Sequence, residues 1–300
     1  MEIRRLTENA WKEQRMLHST AVQQWTVPFR KRRREGRSHP VHDFLFIYYQ
    51  YSPARLERWY PSAGVLLEGA ASCKELVKDS SYIAEGSDLR LNEELISDKE
   101  TSRLRWIAEL LNKTAGRRPN FSCLGLHEWA MVYRGEEVRH EKTTKFRLSQ
   151  EEIDQLVESR PLTCTHFDAF RFFADDARPM NRHQPTMELR PVLEQPACIH
   201  ANMDIYKWAF KAMPWIGSDL LLRCFELAMF ARAIDMRASP YDLTGYQDLD
   251  GAVYDPIRIE TAEGRVEYEQ MQREVARRAE PLRAELAAKI VRIVDTAAAG

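Results

Sequence analysis

Cysteine, glycine and long apolar runs are all scarce in this chain, and each scarcity excludes a class of protein. Its 300 residues contain 5 Cys, an odd number with no CxxC pair, which argues against a disulfide framework or a zinc ribbon and suits a reduced cytoplasm. With 12 Gly and 14 Pro, the composition argues against a loop-rich, all-β or disordered chain. No run approaches the ~18 apolar residues of a membrane helix, and the start lacks the apolar core of a secretory signal. We therefore expect a cytoplasmic protein without a membrane partner.

Positive and negative charges nearly balance over the whole chain but not along it. The 44 Lys and Arg and the 45 Asp and Glu give a formal net charge of −1, so no overall field attracts nucleic acid or acidic membrane. Residues 1–60 nevertheless carry 12 Lys and Arg against 6 Asp and Glu. The excess comes mainly from Arg30, Lys31, Arg32, Arg33, Arg34 and Arg37. These side chains form either a phosphate-binding run or a solvated helix face, and the sequence leaves both open.

Apolar periodicity and capping residues predict a mainly α fold, as a single compact helical domain over residues 1–300 with a minor β element. The domain includes a basic N-terminal helical region at 1–60 and a long C-terminal helix at about 263–295. We expect Pro28 to interrupt the first helix and Pro281 to break or kink the last one. The predicted elements are a short strand at 256–259 and helices at about 8–24, after Ser52-Pro53, at 99–112, 150–159, 198–213, 218–237 and 263–295.

Four short segments each combine a histidine, a nearby acid and an aromatic residue, and they contain most of the 8 His. Burying ionisable groups is costly unless they are paired, so such groups tend to share a pocket. We therefore expect at least three of His42, His127, His166 and His200 to line one cavity. The alternative is that each histidine is a buried hydrogen-bonding residue tied to its neighbouring acid. The segments are residues 39–43, 126–129, 165–173 and 198–208.

The helix predicted at 198–213 places an acid and an aromatic residue beside a histidine. His200, Asp204 and Trp208 follow one another at intervals of four residues and so share one face. A buried, ionised aspartate can orient a water and stabilise a cationic transition state, and aromatic faces can hold a flat or cationic base. General acid–base or electrostatic catalysis on a flat ring therefore fits these residues.

Metal binding is the second chemistry that fits the histidine segments. An extended 163–173 would place His166, Asp168 and Phe170 on one side, whereas a helical segment would not. His166 and Asp168 match the common HxD triplet, and the lone ExxH from Glu137 to His140 is expected at the surface. The residues that could bind non-haem iron or zinc are His39, His42, His127, His166, Asp168 and His200.

Motifs of several well-known enzyme classes are missing from the sequence. The chain has no GxGxxG, Walker A, GxSxG or PCxxC motif. Cys164 lies near His166 and Cys198 near His200, but we interpret both cysteines as packing residues rather than as nucleophiles.

Long blocks of the sequence resemble a family of bacterial proteins of similar length that are labelled 3-methyladenine DNA glycosylases. The blocks are HPVHDFLFIYYQYSPARLERWYPSAG, GLHEWAMVYR, CTHFDAFRFFADDARPMN, EQPACIHANMDIYKWAFKAMP, DMRASPYDL and PIRIETAEGRVEYEQMQ, and the similarity covers nearly the whole chain. The resemblance implies hydrolysis of the N-glycosidic bond of an alkylated adenine in base-excision repair, without a cofactor. The chain lacks the Gly-rich hairpin of helix-hairpin-helix glycosylases and shows no HEAT-type repeats, so no motif assigns the catalytic residue.

The leading hypothesis is therefore a DNA N-glycosylase that releases alkylated bases of the 3-methyladenine type, with DNA as its partner. Asp204 is the first candidate for water activation and Asp168 the second, with His200 and His166 completing the catalytic set. Substrate-binding candidates are Trp208, Tyr206, Phe170, Trp129, His127 and Glu128, and Arg30, Lys31, Arg32, Arg33, Arg34 and Arg37 would hold phosphates. The alternatives are a His/carboxylate metal enzyme acting on a small molecule, with iron or zinc as cofactor, and a non-catalytic binding protein.

Overall fold

The computed structural model describes residues 3–135 and 145–299, and the mainly α architecture predicted from the sequence is confirmed. The longer helices are α1 (Glu8–Arg34), α5 (Asp98–Ala115), α7 (Gln150–Glu158), α10 (Ile199–Lys211), α11 (Ser218–Arg237) and α12 (Ala262–Ala299). The short helices are α2 (Phe44–Tyr48), α3 (Pro53–Glu57), α4 (Lys74–Val77), α6 (Leu126–Ala130), α8 (Phe167–Phe170) and α9 (Arg190–Leu193). None of the described helices is long and apolar enough to cross a membrane.

Helices α10, α11 and α12 form the centre of the larger hydrophobic core, and α5 packs along α12. Helix α11 is buried around most of its circumference, which agrees with the apolar character of its sequence. Its Leu220, Phe225 and Ala228 are fully buried. Charged side chains on such a helix must find partners inside the protein, and this requirement shapes the site described below.

Both prolines that were expected to interrupt helices lie inside continuous ones. Helix α1 runs through Pro28, and Phe29 and Val22 on either side of it are buried in the larger core. Helix α12 likewise runs through Pro281. A proline removes one backbone hydrogen bond and costs about 3 kcal/mol in a helix, so burial on both sides is the physical reason that α1 continues.

The minor β element is a four-stranded sheet near the N-terminus rather than the strand predicted at 256–259. Its order is β1-β2-β4-β3, with β1 parallel to β2 and the other pairs antiparallel. The predicted strand is irregular, because Ile257 N–H donates to the Arg237 carbonyl at the end of α11 instead of to a strand. The strands are β1 (Arg4–Leu6), β2 (Val65–Leu67), β3 (Tyr82–Glu85) and β4 (Asp88–Leu91).

The sheet carries a second, smaller hydrophobic core that includes Trp11 of α1 and Trp59. Trp11 is 1% exposed and its indole N–H donates to the Glu68 carbonyl at 3.0 Å. Helix α1 therefore joins the sheet to the helical core, since Val22 and Phe29 of the same helix lie in the larger core.

Candidate active site

A cavity of about 360 Å³ opens where the segment before α2 meets helices α6, α8, α10 and α11. This volume is within the range typical of small-molecule sites. The lining residues come from five separate parts of the sequence. They are Ser38, His39, Pro40, Phe44, Ile47, Tyr48, Glu128, Met131, Asp168, Ala169, Phe172, His200 and Arg232.

Aromatic rings form part of the cavity wall. Phe44 stacks on Tyr48 with ring centroids 5.0 Å apart, and Tyr48 meets Phe172 edge to face at 6.2 Å. The guanidinium of Arg232 lies 3.8 Å from the centroid of the Phe44 ring. Such rings can stack on a flat ligand at low entropic cost.

A first group of buried ions is centred on Asp204, and we call it the Asp204 cluster. The Asp204 carboxylate accepts hydrogen bonds from Tyr49 at 2.7 Å, from Arg190 at 2.8 Å and from Lys207. Arg190 and Lys207 also donate to Asp168, at 2.9 and 2.8 Å. Because Asp204 is 1% exposed and its oxygens are shared among these donors, it organises the cations instead of facing the cavity.

His166 and Glu194 complete the Asp204 cluster. His166 caps α8, because its Nδ1 accepts from the Ala169 N–H at 3.3 Å. Its Nε2 therefore carries the proton and lies 3.1 Å from Asp204 Oδ2. Arg190 Nε donates to Glu194 at 2.7 Å. The segment is thus helical from Phe167, and the extended arrangement considered from the sequence does not occur.

A second group, the Asp235 cluster, lies on α6 and α11. His127 Nε2 is 2.7 Å from Asp235 Oδ1, and Arg232 donates to Asp235 at 2.9 Å and to Glu128 at 2.8 Å. Asp235 and Arg232 are three residues apart on α11 and are each 1% exposed. Two nitrogens of Arg232, Nε and Nη2, are buried without a hydrogen-bond partner among the described residues.

Histidine rings connect the two clusters. The His200 ring lies 4.4 Å from the His127 ring and 5.5 Å from the His166 ring, centroid to centroid. Three of the four predicted segments therefore converge at His200. The expectation that three of the four named histidines would line one cavity is nevertheless wrong, because of these four only His200 lines the main cavity. His42 stacks on His39 at 4.0 Å and lies 3.1 Å from Asp248.

Opposite electrostatic environments act on the two carboxyl groups that line the cavity. Burial opposes ionisation of Asp168, but Lys207 and Arg190 outweigh burial and lower the pKa of this group. Burial raises the pKa of Glu128, and the charge of Arg232 counteracts this effect only in part. The pKa values of the two carboxyl groups in this cavity are therefore shifted in opposite directions, and such a pair serves as base and acid in many hydrolases.

The aromatic residues proposed from the sequence as stacking partners do not line this cavity. Trp129 is fully buried and its indole N–H donates to the Ala238 carbonyl at 2.9 Å. Tyr206 is fully buried among other rings of the core. Trp208 packs against Lys207, and Phe170 against Phe173. All four were chosen as aromatic residues of the histidine segments, and in the structure their rings turn towards the core or the ion clusters.

The side chains of the basic run differ in their partners, and Arg37 pairs with the exposed Glu35. Arg30 pairs with Glu57 of α3 at 2.7 Å and Arg32 pairs with Asp43 before α2, so both side chains form ion pairs between α1 and neighbouring segments. Arg33 and Arg37 line a neighbouring groove of about 560 Å³. The groove shares Ser38 and Ile47 with the main cavity. Lys31 and Arg34 are exposed.

Two sets of donor atoms are close enough to consider as metal ligands. The atoms within each set lie within 4.8 Å of one another, in His127, Glu128, His200 and Asp235 and in His166, Glu194 and Asp204. Arg232 already binds both carboxylates of the first set, and Arg190 binds both carboxylates of the second. A metal ion would have to displace a buried guanidinium, so the donor sets fit ion pairs better than a metal. Glu137 and His140 lie outside the described residues.

The sequence analysis missed the cations on which both clusters depend. Arg232 and Asp235 interrupt the apolar surface of α11, and a charged pair on a buried helix is a signal that could have identified them. Arg190 and Glu194 are four residues apart in a proline-rich connection that was assigned no chemistry. Tyr49 lies more than a hundred positions before the other residues of the Asp204 cluster, and no sequence pattern connects it to them.

Comparisons with known proteins add no relative. No family model, no curated protein and no solved structure matches the chain. The interpretation of the cavity therefore depends on its own geometry and chemistry.

Proposed function

We propose that the protein is a DNA N-glycosylase that hydrolyses the N-glycosidic bond of an alkylated base. One observation carries the proposal: Asp168 and Glu128 line a single cavity with aromatic walls, and their surroundings shift their pKa values in opposite directions. Two carboxyl groups with separated ionisation are the usual requirement for glycosidic hydrolysis. The resemblance noted in the sequence supplies the class of base.

In this mechanism Glu128 donates a proton to the departing base, and Asp168 stabilises the cationic sugar and accepts a proton from the attacking water. Lys207 and Arg190 keep Asp168 ionised. Asp204 is a positioning residue, because it holds these two cations by direct hydrogen bonds. This assignment moves the leading role from Asp204 to the carboxyl groups that face the cavity.

The aromatic walls and hydrogen-bond donors of the cavity are suited to binding a nucleobase. A flipped base would stack on Phe44, Tyr48 and Phe172, which supply its flat walls. The unpartnered Nε and Nη2 of Arg232 would donate to ring nitrogens or carbonyl oxygens on the edge of the base. A buried donor without a partner costs about 1–3 kcal/mol, and a bound acceptor would remove that cost.

The adjoining groove gives the sugar–phosphate backbone a place beside the cavity. Arg33 and Arg37 line this groove, and it meets the cavity at Ser38 and Ile47. Phosphates on either side of a flipped nucleotide would lie close to these guanidinium groups.

The test is single-turnover release of bases from alkylated DNA, followed by chromatography. Glu128→Gln and Asp168→Asn should each reduce release by at least ~10²-fold. Glu109→Gln, which changes a carboxylate on the exposed face of α5, is the matched control and should release bases at the wild-type rate. Unchanged release by either cavity variant would exclude its proposed role, and no release by the wild-type protein would exclude the function.

Metal analysis of the purified protein separates the alternatives. Stoichiometric iron or zinc together with no base release would favour the metal-dependent enzyme acting on a small molecule. A protein with neither metal nor base release would be the non-catalytic binding protein.

A further inference from the structure

Cys123 contacts His127 of the Asp235 cluster, so a cysteine, a histidine and an aspartate follow one another in contact. Cys123 Sγ lies 3.4 Å from His127 Nδ1, and His127 Nε2 lies 2.7 Å from Asp235 Oδ1. A nucleophile within reach of an imidazole that is oriented by a carboxylate is the arrangement that activates cysteine in many enzymes. The mechanism proposed above does not use Cys123, which does not line the main cavity.

A strained turn brings the thiol to the imidazole. Leu124 has φ +49° and Gly125 has φ +77°, so two consecutive residues between Cys123 and α6 occupy the left-handed region. A Cβ on Gly125 would lie 3.3 Å from the ring of Tyr268, which explains why the smallest residue occurs here. Strain of this kind persists where the surrounding structure imposes it, as at functional sites.

Unpartnered polar atoms meet at the same place. Cys123 and His127 line a void of about 10 Å³, enough for about one small molecule such as water, together with Tyr268 and Gln272. The Tyr268 hydroxyl and the Gln272 Oε1 are buried and have no hydrogen-bond partner among the described residues. Both side chains are at most 1% exposed. Buried polar atoms without partners are rare, and a water-sized ligand in the void would supply the missing hydrogen bonds.

Of the three cysteines that line this void, Cys123 is the most accessible to solvent. Cys123 is partly exposed, whereas Cys164 and Cys198, which line the same void, are buried. Burial raises the pKa of both of these thiols, so they remain protonated and unreactive. Although burial opposes a charge on His127, Asp235 and Cys123 raise the pKa of its imidazole well above the usual value. This makes the imidazole a stronger base, and its Nδ1 is placed to accept the thiol proton of Cys123.

We propose that Cys123, held by His127 and positioned by Asp235, is a second reactive centre that is alkylated by soft carbon electrophiles. The sulfur lone pair forms an S–C bond, the bond from that carbon to its leaving group breaks, and the leaving group departs with the electron pair. The thiol proton passes to His127 Nδ1 and the product is a thioether. No oxidant, reductant or second substrate is needed.

Iodoacetamide tests this proposal in the intact protein, with the labelled positions identified by peptide mass spectrometry. Below about pH 7 an ordinary thiol, with a pKa near 8.5, reacts slowly. Cys123 should then react at least ~10-fold faster than N-acetylcysteine and faster than Cys73, the other partly exposed cysteine. Cys73 is a demanding internal control, because Arg15 lies 3.5 Å from its sulfur. A Cys123 rate no higher than that of N-acetylcysteine would overturn the proposal without the need for any variant.

Asp235→Asn tests the positioning role in the same assay. The variant should slow labelling of Cys123 at least ~10-fold and leave the rate at Cys73 unchanged. A purely structural role of Asp235 would leave the Cys123 rate unchanged in folded protein or would expose all cysteines together. As an independent measure, Cys123→Ser should remove the fast phase of iodoacetamide labelling and leave the rate at Cys73 unchanged. A fast phase that persists in this variant would contradict the assignment to Cys123.

Discussion

His166 Nε2 lies 3.1 Å from Asp204 Oδ2, although the two residues are 38 positions apart in the sequence. The same holds for His127 and Asp235, which are 108 positions apart and 2.7 Å from each other. Each histidine has an acid much closer in the chain, yet it pairs with an acid from another helix. The ion clusters therefore tie together segments that local sequence would not connect, and changing one member should affect the whole fold.

Asp204→Asn should destabilise the protein strongly. The variant removes the charge that Arg190 and Lys207 share and leaves both cations underpaired in a buried place. Breaking such a pair costs about 3–5 kcal/mol, which denaturant unfolding would measure. Asp219→Asn, at a side chain that is 84% exposed on α11, is the control and should change stability by less than about 0.5 kcal/mol.

This expectation differs from the one that the sequence alone suggested. If Asp204 were the residue that activates water, as its helical spacing suggests, Asp204→Asn would lose catalysis while the fold remained intact. If Asp204→Asn has the same denaturation midpoint as the wild type but no longer releases bases, Asp204 acts in catalysis and its structural role is contradicted.

His39 should make stability fall as the pH is lowered. Burial, together with the charge of Arg32 and the neighbouring His42, lowers the pKa of His39 to about 3. The pKa of His39 in the unfolded chain is about 6.5. Between about pH 6.5 and 3 the unfolded chain therefore binds a proton at His39 and the folded protein does not. The free energy of unfolding falls as the pH is lowered through that range.

In this pH range, unfolding of His39→Asn should take up about one proton fewer than unfolding of the wild type. The slope of unfolding free energy against pH, measured by denaturant titration between about pH 4 and 6.5, should become flatter than in the wild type. The carboxylates Asp204 and Asp235, whose pKa values are lowered, lose their contribution only below about pH 4, so the two effects separate. An identical slope in both proteins would show that His39 titrates normally.

Gly264→Ala should destabilise the start of α12. A Cβ at this position would lie 1.9 Å from the carbonyl oxygen of Arg258, a backbone atom that cannot move aside cheaply. Crowding of this kind costs about 1–3 kcal/mol. Gly116→Ala, where the nearest atom would be 3.6 Å away, is the control and should not lower the melting temperature. Equal melting temperatures for both variants would contradict the close approach of the loop to α12.

Arg33→Ala combined with Arg37→Ala should weaken binding to duplex DNA and flatten its salt dependence. Two phosphate contacts fewer would reduce the slope of log affinity against log salt by about two. Arg30→Ala is the matched control within the basic run, because Arg30 pairs with Glu57 and does not line the groove. If the slope falls equally in Arg30→Ala and in the double variant, the phosphates do not bind preferentially at the groove.

Much of the architecture followed from the sequence because helix signals are local. Ser149 and Glu152 form the predicted capping box at the start of α7. Helix α11 spans Ser218–Arg237, as its apolar periodicity predicts, although its N-cap is Gly217 and Ser218 is the first helical residue. Signals failed where burial overrode propensity, as at Pro28, and where strands were short, because three residues carry little periodicity.

The sequence by itself determined the helical class, the histidine segments and the acids that accompany them, because residue type and spacing are sufficient for each. Only the tertiary structure decided which acid meets which base: Asp204 is neutralised by Arg190 and Lys207, while Asp168 and Glu128 face the cavity. The reason is that the environment of a buried charge is set by residues distant in the chain. Its burial and its partners, and therefore its ionisation, exist only after the helices have packed.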